Sequence, residues 1–249
     1  MERFEFCRQL METAKEYILL HPDFNVDTKS SINDLVTNVD QGGEALIREA
    51  IANAYPNDSI VGEENGFDFS DSMWIVDPID GTSNFVTKHK DFTISIAYYA
   101  HYCPVFGFVY DVMAEQLYWA KDGDNAYLNG KILHVSDNPK DKAVIDMTLG
   151  SVYGFRQSMN VDLVPVVTQV RQVKATHCCT LSMMGIAKGD TQLYLSSKVK
   201  VWDYAAANII LKQAGGVSVI PNFFTTEGSY VIFASSENML AFGKDLLNI

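Results

Sequence analysis

The sequence predicts a mixed α and β protein built in layers, and three observations carry that expectation. Helical periodicity occupies the start of the chain, runs of β-branched and aromatic residues fill the middle, and strand-like and helix-like segments alternate after residue 143. With 249 residues, 47% of them hydrophobic, the chain can bury a large core without disulfide support.

The first element is an amphipathic surface helix. Phe4, Cys7, Leu10, Met11, Ala14, Tyr17 and Ile18 recur at helical spacing, interrupted by Glu2, Glu5, Glu12 and Glu16. The acids break the continuous apolar run that a signal peptide needs, and no stretch of the sequence approaches the roughly 20 apolar residues that span a bilayer. A polar segment, 21–33, is expected to be a mobile loop, and a second helix runs through Glu44, Ile47 and Ile51 to stop near Tyr55-Pro56. From Ser59 the short runs at 60–61, 74–76, 92–99, 105–110 and 116–119 predict a large, mostly antiparallel sheet. Beyond it the pattern predicts strands at 143–147, 191–194, 217–220 and 230–234, and helices at 162–170, 181–187, 204–214 and 237–247. No repeat, low-complexity tract or long linker interrupts the chain, so one domain, 1–249, is expected, with halves meeting at about residue 140.

Charge narrows the function classes. Acidic residues outnumber basic ones 31 to 19, a net charge of -12, which opposes binding to nucleic acid and to anionic membrane surfaces. An acidic protein with an anionic substrate must neutralise charge locally, and bound divalent cations do so without a basic surface. Cys7, Cys103, Cys178 and Cys179 form no C-x-x-C pair and no regular scaffold, so reduced thiols in a cytoplasmic protein are expected. Cys178 and Cys179 read as small packing residues, and the histidines lack the spacing of a zinc site.

The most informative segment runs from Trp74 to Thr82. Three apolar residues leave the core as a strand, then Asp77 and Asp80 flank a proline ahead of Gly81. Proline fixes the backbone at the strand exit, and glycine permits a turn whose N–H groups converge on one spot, an anion nest beside two hard oxygen ligands. That pairing suits magnesium, which takes one or two carboxylates and fills the remaining octahedral positions with water and phosphate. Taken singly, Asp77 and Asp80 are also explained as solvated turn acids, Glu63 as a loop acid after a short strand, and Asp203 as a helix N-cap. Lys29 with Asp34, Thr37 and Asp40 reads alone as a helix-capping pattern.

Together and in this order, Lys29 to Asp40, Gly62-Glu63-Glu64, WIVDPIDGTSNF from Trp74 to Phe85, and WDYAAANIILKQAGG from Trp202 to Gly216 resemble the inositol monophosphatase family of lithium-sensitive phosphatases. The resemblance covers nearly the whole chain. It implies an α+β fold, a layered α-β-α-β-α sandwich, and hydrolysis assisted by two or three Mg2+ ions. Carried over position by position, Glu63, Asp77 and the carbonyl of Ile79 hold one ion, and Asp77, Asp80 and Asp203 a second, with a third, weaker ion near Glu63. Thr82, paired with Asp40, helps Glu63 orient and deprotonate the attacking water, and Gly81, Thr82 and Ser83 receive phosphate oxygens. Lys29, Asp80, His177 and Ser196 complete the expected substrate contacts. A homodimer and inhibition by lithium follow from the same resemblance.

Two positions depart from the family pattern. His177 stands where glycine is usual, and Ser196 stands where a glutamate that grips inositol hydroxyls is usual. Losing a hydroxyl acceptor weakens the case for inositol, because discrimination rests on polar groups left unpaired by the wrong substrate. His177 reads equally as a surface histidine and as a leaving-group contact. The expected activity is magnesium-dependent hydrolysis of inositol-1-phosphate or a related polyol or sugar phosphate. The alternatives are an NADP phosphatase or 3′,5′-bisphosphate nucleotidase, a regulatory protein on the same fold, and a calcium or purely structural acidic site. The spread of ligands from Glu63 to Asp203 disfavours a contiguous calcium loop.

Overall fold

The computed structural model describes residues 2–28, 35–64, 66 and 68–249. The outermost layer is a pair of helices, α1 (Arg3–Leu20) and α2 (Asn38–Ala54), and between them β1 (Val26–Thr28) pairs antiparallel with β2 (Leu35–Thr37). Part of the expected 21–33 loop is therefore strand, and residues 29–34, with Lys29 and Asp34, lie outside the described residues. The first sheet follows: β3 (Ser59–Gly62), β4 (Ser72–Asp80), then, after α3 (Thr82–Lys88), β5 (Thr93–Ala100), β6 (Cys103–Asp111), β7 (Gln116–Lys121), β8 (Ala126–Leu128) and β9 (Lys131–Ile132). These seven strands lie side by side in chain order, with β3 and β4 parallel and every other pair antiparallel.

The remainder is β10 (Val144–Asp146), α4 (Leu149–Met159), β11 (Gln172–Lys174), α5 (Cys179–Ala187), β12 (Leu193–Val199), α6 (Val201–Gln213), β13 (Val217–Val219), β14 (Ser229–Ala234) and α7 (Glu237–Leu247). Its five strands form a second sheet in the order β11-β10-β12-β14-β13. The helix expected at 162–170 is instead a short 3-10 turn, Val164–Thr168, because Pro165 fits only the first turn of a helix and the Asp162 carboxylate already accepts the Val164 N–H. The true helix, α4, lies just upstream and is capped by Thr148, whose hydroxyl accepts from the Ser151 N–H. Its Gly150 and Gly154 weaken the helical signal, yet Gly154 is required because a Cβ there would lie 2.1 Å from Ser197 Oγ.

Side-chain alternation along the strands sorts the layers. Trp74, Val76, Ile94, Ile96, Phe106 and Phe108 face α1 and α2, whereas Met73, Ile75, Ala97, Tyr99 and Val109 face α5 and α6. Tyr194, Val231 and Phe233 of the second sheet close the same inner core, and Ile145, Leu193, Leu195 and Ile232 face α4 and α7. The result is an α-β-α-β-α sandwich with three apolar cores. Helix α6, caught between two sheets, is buried on almost every side from Val201 to Leu211. No described helix is long and apolar enough to cross a membrane.

Two hydroxyls pin α6 to the first sheet: Ser95 Oγ donates to the Trp202 carbonyl at 3.2 Å and Tyr99 Oη to the Ala205 carbonyl at 3.1 Å. Close approach also needs Gly107, since a Cβ there would sit 2.5 Å from the Ala206 carbonyl oxygen. Gly107→Ala is therefore predicted to overpack this contact and lower stability by about 1–3 kcal/mol, read by denaturant unfolding. A substitution within ±0.5 kcal/mol of the parent would contradict the close contact.

Candidate active site

The site begins with an irregularity in β4. Asp77 pairs with Ser95 of β5 and Asp80 with Thr93, so three steps along β4 match two along β5. Residues three apart on a regular strand point to opposite faces; the extra residue of this bulge turns both carboxylates toward the inner layer. Pro78 marks the place, because it has no N–H to give the ladder. On the other side of β4, Gly62 pairs with Val76 in parallel register, which brings Glu63 beside Asp77 at the ends of adjacent strands.

Asp203 reaches the same place from α6. It occupies the third position of that helix, and its carboxylate accepts the Lys200 N–H at 2.7 Å. Asp80 is held by the start of α5: it accepts from the Thr180 N–H and hydroxyl, each at 2.6 Å, from the Cys179 N–H at 3.2 Å, and from the Cys178 thiol at 3.2 Å. Asp77 accepts the Ile79 N–H at 3.0 Å. The positive ends of α5 and α6 thus face two of the acids. Carboxylate oxygens of Asp77, Asp80 and Asp203 lie within 4.8 Å of one another.

Such crowding has an electrostatic signature. Burial pushes the Asp77 carboxyl well above the ordinary carboxylate range, and the charges of Glu63, Asp80 and Asp203 push it further. Asp203 is raised by burial and then by Asp80 and Glu63, partly offset by the Lys200 N–H and charge. Asp80 is raised by burial, and the donors at the start of α5 pull it back. The charges that act on Asp77 are those of acids, eased only in part by the Ile79 N–H, so the charge that fits here is a cation, and carboxylate oxygens suit a hard one.

A cavity of about 210 Å³ opens over these groups, lined by Glu63, Asp77, Ile79, Asp80, Gly81, Thr82, Ser83, His177 and Asp203, with Leu35 at its edge. Gly81 has φ of 91°, a left-handed conformation, and a Cβ there would press on Cys178. This turn starts α3. Thr82 donates from its hydroxyl toward Asp40 at 3.0 Å and the Ile79 carbonyl at 3.1 Å. Asp40 in turn closes a capping box with Thr37 at the start of α2, accepting the Thr37 N–H at 2.9 Å.

A second cavity, about 600 Å³, shares Asp80, His177 and Asp203 with the first and extends over Thr148, Ser151, Cys179, Tyr194, Ser196 and Lys198. Ser196 lies here, not in the cavity over the acids, and its hydroxyl is 3.2 Å from that of Ser151. His177 is exposed with φ of 59°, the left-handed region that glycine adopts freely, which accounts for the glycine expected at this turn. Of the residues singled out for the site in the sequence, Lys29 and Asp34 lie outside the described residues.

Sequence reasoning missed Thr180 and Asn84 and read two further residues, Cys178 and Cys179, only as packing. Thr180 supplies two of the bonds to Asp80. Asn84 donates to the carbonyls of Asp91 and Thr176 at 2.8 and 3.0 Å, tying α3 to the His177 turn. Cys178 and Cys179 do more than pack: the first donates to Asp80 and the second accepts from Tyr194 Oη at 3.1 Å. A clue to Asn84 was its place inside the WIVDPIDGTSNF run; nothing in the sequence marked Thr180.

Comparison with known proteins identifies the family and the fold. The family model described as the inositol monophosphatase family matches residues 3–238. The inositol-1-monophosphatase of Bacillus subtilis is 32% identical over 227 residues, covering 89% of this chain and 84% of its own. Among solved structures, an IMPase of Thermotoga maritima superposes with a TM-score of 0.85 at 26% identity, covering 100% of this chain and 97% of that one. The staphylococcal SaIMPase-II with 2′-AMP bound gives 0.84 at 30% identity, covering 100% and 95%. The chain belongs to the inositol monophosphatase family and is a phosphoric monoester hydrolase.

Proposed function

We propose that this chain hydrolyses a small phosphate monoester with magnesium as its cofactor, and the observation that carries the reading is the set of buried, mutually repelling carboxylates of Asp77, Asp80 and Asp203 beside Glu63. Asp77 would be shared by two ions, one completed by Glu63 and the Ile79 carbonyl, the other by Asp80 and Asp203, with a third, weaker ion near Glu63. When bound, the ions neutralise the phosphate charge and make a water acidic enough to yield its proton near neutral pH.

The protein's own groups do the rest. Thr82, with its hydroxyl proton committed toward Asp40 and Ile79, offers its oxygen to the attacking water and so orients it. Glu63, at the end of β3, accepts the proton. The turn at Gly81, Thr82 and Ser83 presents N–H groups to phosphate oxygens, and Asp80, held by α5, borders both cavities, where the phosphate meets its leaving group. His177 and Ser196 contact that leaving group.

For the leaving group, the first reading is inositol or a related polyol or sugar. The second is a nucleotide, as in NADP or a 3′,5′-bisphosphate. It is favoured by the second cavity, whose volume of about 600 Å³ exceeds what one sugar ring fills. It is favoured also by the 2′-AMP seen on a relative that is 30% identical. Pairing into a homodimer, a cytoplasmic setting and sensitivity to lithium belong to the same proposal. Leu149, Tyr153, Val164 and Val167 offer exposed apolar surface for pairing, and the four cysteines are free, which suits a reducing compartment.

The test is phosphate release from inositol-1-phosphate, fructose-1,6-bisphosphate, NADP and 3′-phosphoadenosine-5′-phosphate, with magnesium and with EDTA. Turnover that needs magnesium is expected, along with inhibition by millimolar lithium; turnover undiminished by EDTA would defeat the metal reading. Glu63→Gln is expected to lower kcat by about 10²–10⁴-fold with the fold intact. Equal kcat for this variant and the parent would remove Glu63 from the proton transfer.

The raised carboxyl pKa values also predict how pH and metal act on stability. An acid whose folded pKa lies above its unfolded value costs nothing below the ordinary carboxylate range, and its penalty grows as pH rises from there through the folded value. Metal-free protein should therefore lose this part of its stability progressively as pH rises above about 4. Saturating magnesium should restore it, raising Tm more at pH 7.5 than at pH 5. A magnesium shift in Tm independent of pH would contradict the assignment of these acids as ligands.

A further inference from the structure

Helix α2 carries Asp40, Glu44 and Arg48 at successive intervals of four, so the three charged side chains form one row along its length. Asp40 meets Thr82, as described above. Glu44 is fully buried, at 0% exposure, and receives the Glu64 N–H on Oε2 at 2.7 Å. Its Oε1 accepts Arg48 Nε, also at 2.7 Å. The same guanidinium then reaches past Glu44, donating to the Gly66 carbonyl at 2.6 Å and the Ile60 carbonyl at 3.3 Å. These bonds fall on both sides of Glu63, one to the strand that precedes it and two to the segment that follows.

Gly62 completes the arrangement. A Cβ at this position would lie 2.6–2.8 Å from the Glu44 carboxylate, so the backbone before Glu63 packs directly on that group. Burying a carboxylate is costly unless it is paired and hydrogen-bonded, and the partners described here belong to, or grip, the Glu63 segment. A merely structural ion pair between neighbours on a helix would need neither the Glu64 N–H nor the carbonyls of Ile60 and Gly66.

We propose that Glu44, braced by Arg48, is a positioning residue for Glu63, so that α2 sets Thr82 through Asp40 and Glu63 through Glu44 from one rigid element. This inference rests on the reading of Glu63 as metal ligand and proton acceptor. It assigns to the buried pair a role in the site that contact with the substrate does not supply.

The test compares Glu44→Ala, Glu44→Gln and Arg48→Met with the exposed control Glu49→Ala. The readouts are kcat, KM and the magnesium concentration for half-activation on a substrate that the parent turns over. Glu44→Ala is expected to raise the half-activation concentration and lower kcat at saturating magnesium, each by about ten-fold, with KM for substrate within about two-fold. Gln, which keeps an acceptor for the Glu64 N–H, should recover most of the loss, and Arg48→Met should fall between. Activation and kcat equal to the parent's in both Glu44→Ala and Arg48→Met would overturn the inference. If Glu44→Ala fails to fold, Arg48→Met decides alone, because Arg48 is 22% exposed and its loss leaves no buried cavity. Binding of Mn2+, followed by its paramagnetic resonance, separates the two claims. A parent that binds Mn2+ but releases no phosphate from any substrate would defeat the proposed function, while a weaker affinity in the variants would still uphold the positioning role.

Discussion

The constraint on which the structure depends is the gathering of four acids at the ends of β3, β4 and α6. Like charges a few ångströms apart in a partly buried pocket repel, and among the described residues that line the cavity there is no lysine or arginine, the Lys200 charge easing Asp203 from outside that lining. The chain holds them by donors instead. The first N–H groups of α5 bond Asp80, the N–H of Lys200 bonds Asp203, and that of Ile79 bonds Asp77. Helix N-termini and backbone amides carry partial positive charge, which offsets part of the repulsion. The middle helical layer therefore serves two ends, filling the space between the sheets and bracing the acids.

That layer also explains the stiffness expected of the site. Helix α6 is anchored to the first sheet by Ser95 and Tyr99 and drawn close by Gly107, so Asp203 cannot shift without disturbing the inner core. Asp80 is fixed between β4 and α5. The magnesium proposed for this site demands near-ideal octahedral geometry, and ligands on rigid elements would suit that demand better than loop ligands. The larger cavity is built differently. The His177 turn, Ser196 and Lys198 border the larger cavity, and the first of these sits on an exposed turn. Chemistry on rigid elements and recognition on a more variable rim is an arrangement in which relatives can share a reaction and differ in substrate.

Much of the site was legible because the chemistry leaves local marks. Asp77-Pro78-Ile79-Asp80-Gly81 signals a strand exit, a break in the ladder and a left-handed turn in five residues, and the small residues after Asp203 signal a tightly packed helix. The amphipathic α1 and the long strands of the first sheet were legible for the same reason, a periodicity confined to one element. What escaped notice depends on contacts between distant elements. Thr180 and Asn84 matter through bonds to Asp80 and to the His177 turn, which no short window contains. Helix α4 was missed because Gly154 answers to Ser197 on a neighbouring strand, and tertiary packing overrode a poor helical signal. The one-residue bulge that turns Asp77 and Asp80 to the same side follows from pairing with β5, which the sequence of β4 alone does not disclose.

The most direct measurement is anomalous diffraction from crystals soaked in Mn2+ and phosphate. The account predicts manganese peaks between the carboxylates of Asp77, Asp80 and Asp203 and beside Glu63, with phosphate oxygens against the Gly81–Ser83 turn. Manganese bound only elsewhere, with those carboxylates protonated or turned away, would contradict it.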